Sequence, residues 1–538
     1  MEESALRRRD YLTALVLALF LVILGSCQML SGFCGIYHDD AIYVSTAKAL
    51  AQGQGYRLIN LPEAPVQTKY PILYAALLAL VWKIWPVFPA NLPPMRWLTL
   101  SLSAVSVGLS YLYLIRFRYA TRGVALAAGL LCITTPLFLY FSDLTLSEMV
   151  FAGLSVAALW RLEVQLAGAD GGRSRQFFLG VILALPFLCR TIGVVLVPVG
   201  LALLYHYGRA CRWTFLGAAA ALLPWLFWMV LGPRWNEVSA TAYYTNYLTW
   251  WLSFGIPFSG RLVCQNFAYI LFWSADLGLG ALHYLPEAAW PGVMLMGCLG
   301  YPLLVKDLRR WRALSWFLAA YLGLVLVWPW PPLRFLMPIL VFVTAYLLSG
   351  ARSLAGWVRF GGRQRLGTLV VGALVIVNLN LVRQTVSLSQ GNYYPFPKPL
   401  EEAVSWTSFA ELFAWVREHT TPQDVITSGL DTMVYLYTDR RCFRPFVGRP
   451  MSMFYGLPGP PLGPDEEMIG AIKAQKARYL VFTPMPGFQE EAPFGAFVKR
   501  LREQYPGWLK PVYAGKDRRF LVFEFQAAAE PAAAVPPR

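Results

Sequence analysis

The feature that most constrains this chain is its succession of long apolar runs, separated by short clusters of arginine and lysine. The first run, Tyr11–Leu30 (YLTALVLALFLVILGSCQML), is long enough to cross a hydrocarbon core of about 30 Å as a helix. It lacks a small-residue cleavage site after a short apolar core, so it reads as a retained anchor rather than a cleaved signal peptide. Composition agrees with lipid as the solvent. Charged residues make up 14% of the chain, against about 25% in soluble domains.

The net charge of +16 would suit a nucleic-acid partner if it lay along one soluble face. Instead the cations punctuate the apolar runs, as the positive-inside rule places them, and nucleic acid is not expected. The eight cysteines form no C-x-x-C pair, and Cys27, Cys132, Cys189 and Cys298 lie within apolar segments. Neither a disulfide framework nor a zinc site is expected, and His38 and His206 offer no metal-ligand spacing.

The basic clusters orient the chain. They are Arg7/Arg8/Arg9, Arg116/Arg118/Arg122, Arg173/Arg175, Arg209/Arg212, Lys306/Arg309/Arg310/Arg312 and Arg352/Arg359/Arg363/Arg365. With all of them cytoplasmic, about eleven spans fall near 11–30, 97–115, 123–141, 147–165, 176–190, 192–207, 213–231, 288–305, 313–330, 335–350 and 366–382. The N-terminus is then cytoplasmic and the chain after about 384 lies outside a cell inner (plasma) membrane. Residues 72–88 carry Lys83 and Pro86 and are read as an interfacial or re-entrant helix of a first external loop, 31–95. The same parity argument demotes 264–282, making 232–287 one long external loop.

From Pro395 the pattern changes. Phe409, Leu412, Phe413 and Val416 mark an amphipathic helix. Strand-like runs at Val425–Thr427, Tyr479–Thr483 and Phe520–Phe525 alternate with helical stretches near 465–476 and 494–504. These predict a small extracytoplasmic α/β domain over 395–526, with a disordered tail at 527–538. The expected fold class is therefore a mainly α, polytopic transmembrane bundle over 1–384, with outer-face interfacial helices and that α/β domain.

Charge beside a membrane segment is costly and marks function by default. Asp39 and Asp40, Lys69, Asp143, Glu148, Arg190 and Arg334 gather at the outer face in this topology. Adjacent helical residues diverge by about 100°, so Asp39 and Asp40 take different roles; either also reads as a helix cap. Lys69 and Arg334 suit a lipid phosphate at headgroup depth, Trp328 and Trp330 could flank its chain, and snorkelling would explain both cations too. Arg190 reads equally as a cap or a ligand contact. Tyr243, Tyr244, Tyr247, Trp250 and Trp251 read as an interfacial belt, with sugar stacking the alternative.

The segments DDAIY (Asp39–Tyr43) and KYPILY (Lys69–Tyr74) resemble motifs of the protein O-mannosyltransferase and aminoarabinose-transferase group. These are membrane glycosyltransferases of the GT-C type that use polyprenyl-phosphate sugars. The family pattern is D-E-x-x-Y, then K-P-P-L-Y; here Asp40 stands for the glutamate and Tyr70 for one proline. LTLSEM, with Glu148, is similar to the family's T-x-D-M, and Arg334-Phe335 with Pro338 resembles R-Y-x-x-P.

The resemblance covers roughly the first 350 residues. It implies catalytic roles for Asp39, Asp40 and Glu148, with Asp39 as general base of an inverting displacement. It also implies phosphate binding by Lys69, Arg334 and Arg190, and substrate contacts by Tyr43, Tyr74 and Asp143. The implied partners are a polyprenyl-phosphate-linked sugar, membrane lipid, and an acceptor protein, lipid or glycan. No cofactor is required, and a divalent cation is compatible if the donor is a diphosphate. The alternatives are a lipid or sugar transporter, which would place its charges at mid-membrane on broken helices, and a non-catalytic scaffold.

Overall fold

The computed structural model describes residues 5–29, 32–168, 172–232, 259–280, 282, 285–357, 363–396, 403–516 and 518–526. The aromatic stretch from Tyr243 to Trp251 and the tail 527–538 lie outside them.

The chain opens with α1 (Arg8–Gln28), then α2 (Asp39–Ala51) and α3 (Ile72–Ile84) in the first loop. There follow α4 (Leu92–Arg116), the pair α5 (Arg122–Thr134) and α6 (Pro136–Asp143), α7 (Glu148–Ala167), α8 (Arg173–Cys189), α9 (Leu196–His206) and α10 (Arg212–Leu231). Helices over Ser259–Leu279, Trp290–Arg309, Ala313–Leu326, Leu333–Trp357 and Arg363–Gln390 complete the bundle, two of them with short 3-10 turns inside.

Among the described residues, eight helices are long and apolar enough to cross a membrane. Seven of them fall at expected spans. The expected span 123–141 is instead α5 and α6, bent by 74° at their junction, where Pro136 removes a backbone donor. The expected spans 176–190 and 313–330 are helices of 17 and 14 residues. That at 192–207 is a 3-10 turn of 5 residues running into the 11 of α9.

The eighth long helix is Ser259–Leu279, within the stretch that charge parity had placed outside. Parity counts basic loops and is blind to packing. Here Asn266 donates from Nδ2 to the Trp328 carbonyl at 2.8 Å, and Thr135 donates to the Leu277 carbonyl at 3.1 Å, seating the helix in the bundle. α3, by contrast, has 13 residues, about 20 Å of helix, too short to span.

The basic clusters meet at one end. Arg122 pairs with Asp10 at 2.7 Å, Arg312 donates to the Arg118 carbonyl at 3.4 Å, and Arg352 reaches Thr121 at 3.1 Å. α4 runs from the first loop down to Arg116 over 25 residues, so this end lies about 37 Å from the loop.

The C-terminal region holds a five-stranded sheet. Its strands are β1 (Ile426–Ser428), β2 (Cys442–Phe443), β3 (Tyr479–Phe482), β4 (Leu509–Ala514) and β5 (Leu521–Phe525), in the order β2-β1-β3-β5-β4. β1 pairs in parallel with β2 and β3, while β5 is antiparallel to β3 and β4. The amphipathic helix is Trp406–His419, and Phe409, Leu412, Phe413 and Val416 are its buried residues. The core is continuous with that of the bundle: Phe33 of the first loop stacks edge-on against Trp406 and Phe409.

Small residues set the helix contacts, since apolar side chains gain little by leaving lipid. A Cβ on Gly180 of α8 would collide with the Thr214 carbonyl, and one on Gly217 of α10 with the Phe177 carbonyl. Replacing Gly180 by Leu is therefore expected to destabilise the protein by about 1–3 kcal/mol. A lowered thermal midpoint in detergent is the readout.

Candidate active site

Each functional side chain sits at an element boundary, where the local sequence stops or starts a helix. Asp39 opens α2 and Glu148 opens α7, positions where a carboxylate favours the helix dipole. Arg190 follows α8 in extended conformation (φ −146°, ψ 134°), and its N–H caps the helix by donating to the carbonyl of Pro186 within it. Arg334 lies in the turn of helix that follows Pro331 and Pro332.

Lys69 and Tyr70 precede Pro71, the N-cap of α3. Their backbone is pinned because the Gln67 side chain accepts the Lys69 N–H at 2.7 Å, while Trp228 of α10 donates to the Gln67 carbonyl at 2.8 Å.

These residues converge. Arg334 donates from Nη1 to Asp39 Oδ2 at 2.6 Å and from Nε to Glu148 Oε1, so one guanidinium bridges two carboxylates. Arg190 Nη1 meets the same Glu148 oxygen at 2.7 Å. The Tyr70 hydroxyl donates to Asp39 Oδ1, and the Lys69 ammonium lies 5.0 Å from the centre of the Tyr70 ring. Tyr43 shares a hydrogen bond of 2.8 Å with Ser147, which also accepts from Arg190 at 3.3 Å. Glu148 is fully buried, whereas the side chains of Asp39 and Arg334 are 21% and 22% exposed. The cluster thus opens at Asp39 and closes inward at Glu148.

The remaining sequence candidates stand apart from it. Asp40 turns to the other side of α2, where the Gly35 N–H donates to Oδ2 at 2.7 Å. Asp143 is buried in α6 and takes no part in the ion-pair network among the described residues. Tyr74 stands one layer behind, hydrogen-bonded to Thr99 at 2.7 Å with its ring against Tyr43. The side chains of Asp39 and Asp40 do diverge, as helical geometry requires.

Electrostatics separates the two aspartates further. Burial pushes the Asp39 carboxyl up, but Arg334, Lys69 and the Tyr70 hydrogen bond outweigh it and hold the group well below the usual carboxylate range. Burial raises Asp40 to about 6 against the N–H groups of Gly35 and Ala41. Lys69 is brought down to about 7 by burial, with Arg444 and Arg334 adding to the fall and Asp39 opposing it.

Several contributors escaped sequence reading. Ser147 lies inside LTLSEM but only Glu148 stood out there, and Arg444 carries no motif. Arg96 is an almost fully buried cation on α4 that donates to the Phe33 carbonyl. Tyr70 was visible only as the residue standing where the family pattern has proline. Among the described residues no group of three or more His, Cys, Asp or Glu side chains could hold a metal ion.

A helical bundle, a first loop of short helices folded over one rim, and a C-terminal sheet region docked on that loop together make the GT-C membrane fold. No protein-family model matches the sequence, and no curated protein matches it. Solved structures do.

ArnT from Cupriavidus metallidurans bound to undecaprenyl phosphate is similar over 98% of this chain and 99% of its own, at a TM-score of 0.54 and 13% identity. The archaeal oligosaccharyltransferase AglB from Archaeoglobus fulgidus, in complex with an inhibitory peptide and a dolichol-phosphate, is similar over 98% of this chain and 75% of its own. Its TM-score is 0.55 at 14% identity. The same oligosaccharyltransferase is also similar in a complex with Zn and sulfate, at a TM-score of 0.55 and 14% identity over 94% of this chain and 72% of its own.

Removing one carboxylate from a buried network leaves its cations uncompensated. Glu148→Ala strips Arg190 of its counter-charge and is expected to cost about 3–5 kcal/mol. The check is the unfolding midpoint of the purified protein.

Proposed function

We propose that this protein is an integral membrane glycosyltransferase of a bacterial-type inner membrane. It moves a sugar from a polyprenyl-phosphate donor to an acceptor hydroxyl on the outer face. The observation that carries this reading is the meeting of Asp39, Lys69, Glu148, Arg190 and Arg334, from separate stretches of chain, at one partly open rim. Two of the solved structures with this fold were bound to polyprenyl phosphates.

In this reading the acceptor oxygen attacks the anomeric carbon as the bond to the phosphate oxygen breaks, with inversion. The acceptor proton passes to Asp39, and the electron pair leaves on the lipid phosphate. The donor phosphodiester carries one negative charge and the departing monoester gains a second. Lys69, Arg334 and Arg190 outnumber Asp39 and Glu148 by one cation and would meet that growing charge.

Asp39 is a weak base while Arg334 and Tyr70 hold it. A donor phosphate competing for the Arg334 guanidinium would loosen that hold and make Asp39 more basic as substrate enters. The Arg334 guanidinium, held between the two carboxylates, is a fixed cation beside the proposed phosphate position. Asp40 is read as holding the loop through Gly35, and Tyr43 as lining the site beside Ser147.

Asp39→Asn is expected to lower transfer by roughly 10²–10⁴-fold with the fold intact. Turnover of a polyprenyl-phosphate sugar by detergent-purified protein measures it, and near-normal turnover would refute the assignment. Lys69 generates a pH signature. With its pKa at about 7 in the free protein, it carries a proton below that pH and loses it above, so kcat/KM for the donor should fall as pH rises through neutrality. Lys69→Ala should lower donor use more than acceptor use and flatten that limb. An unchanged profile in the variant would remove the phosphate contact from the mechanism.

A further inference from the structure

His38, immediately before Asp39, has φ 60° and ψ −56°. The Asp39 N–H donates to the Tyr37 carbonyl at 2.6 Å, two residues back. That hydrogen bond and those angles define a γ-turn of the rare, strained hand, which a residue with a Cβ adopts only when its surroundings impose it. The turn sets the direction in which α2 leaves the loop, and so where its first side chain, Asp39, points.

What imposes it comes from the far end of the sequence. The buried His38 ring places Nε2 at 2.8 Å from Asp431 Oδ1, in the helix Asp431–Thr438. Burial lowers the imidazole pKa, so the ring is a neutral donor to the carboxylate. The second Asp431 oxygen accepts from Asn60 Nδ2 at 3.2 Å, and the Asn60 carbonyl accepts from Cys442 N–H of β2 at 2.7 Å. Asp431 is itself fully buried and thus gathers two stretches of the first loop. Two residues on, Met433 lies against Gly35, whose φ of 113° suits only glycine.

We infer that the C-terminal region is part of the active-site machinery: Asp431, acting through His38, is a positioning residue that holds the strained turn aiming Asp39. The consequence for catalysis rests on the reading of Asp39 as the base; the clamp itself does not.

Asp431→Ala is expected to lower kcat roughly 10- to 100-fold and to change the donor KM less, because Arg190 and Arg334 stay paired with Glu148. His38→Ala keeps the strained turn and loses its anchor, and should fall comparably. His38→Gly adopts φ 60° without a Cβ, so it should retain several-fold more activity than His38→Ala. Adding Asp431→Ala to His38→Gly should then cost little more. Equal activity of the two His38 variants, or the same loss from Asp431→Ala in both backgrounds, overturns the proposal. If Asp431→Ala alone fails to fold, the comparison of the His38 variants decides.

Hydrogen exchange separates this from the transfer reading. Asp431→Ala should speed exchange across residues 35–42 while α4 keeps its protection, and unchanged exchange there sinks the clamp. Faster exchange in that loop, together with no sugar transfer by the wild-type protein, would refute the transfer reading and leave the clamp standing.

Discussion

The Arg334 guanidinium, shared between Asp39 and Glu148, is the interaction on which the rest of this site depends. Charges taken out of water at a membrane rim are tolerated only when paired and hydrogen-bonded. Arg334 lies 295 residues from Asp39 and 186 from Glu148 along the chain. Satisfying all three groups therefore draws α2, α7 and the Leu333–Trp357 segment to one point. Arg190 completes the arrangement from the end of α8. Planar, multi-donor guanidinium suits this geometry, whereas a lysine at 334 could not bridge both acids in the same plane.

Around that point the protein stores tension rather than relaxing it. His38 sits in a conformation few residues adopt, and Asp39 is held far from the proton affinity that the proposed reaction needs. Such local costs are sustained only by over-determined surroundings. Here these are the Asp431 contacts on one side and the close glycine-mediated helix contacts of the bundle beneath.

Much of this was legible in the sequence because membrane burial leaves a coarse signal. Seven long helices fall where apolar runs and basic clusters put them, and the C-terminal strands β1, β3 and β5 sit within a residue or so of the alternating runs. The cluster of Asp39, Lys69, Glu148, Arg190 and Arg334 was visible as charge at span ends. What escaped reading depends on packing. Helix 259–279 is long and apolar enough to cross a membrane, a property that charge parity does not weigh, and β2, of two residues, exists only through its neighbours. Asp431 lies in no motif of the predicted α/β domain. Its role appears only when the fold lays it on His38. Asp40 and Asp143 drew attention as acids near the site, yet Asp40 is engaged by the Gly35 N–H and Asp143 is buried outside the ion-pair network of the described residues.

The hydrogen bond between His38 and Asp431 closes a loop of 393 residues. A ribosome emits the first partner long before the second, so the first loop is made while its turn at His38 is still unbraced. The turn before Asp39 can assume its braced shape only after Asp431 has been made and its helix has folded against the first loop. Folding of the two ends is thereby coupled: a segment made late completes the geometry of one made early.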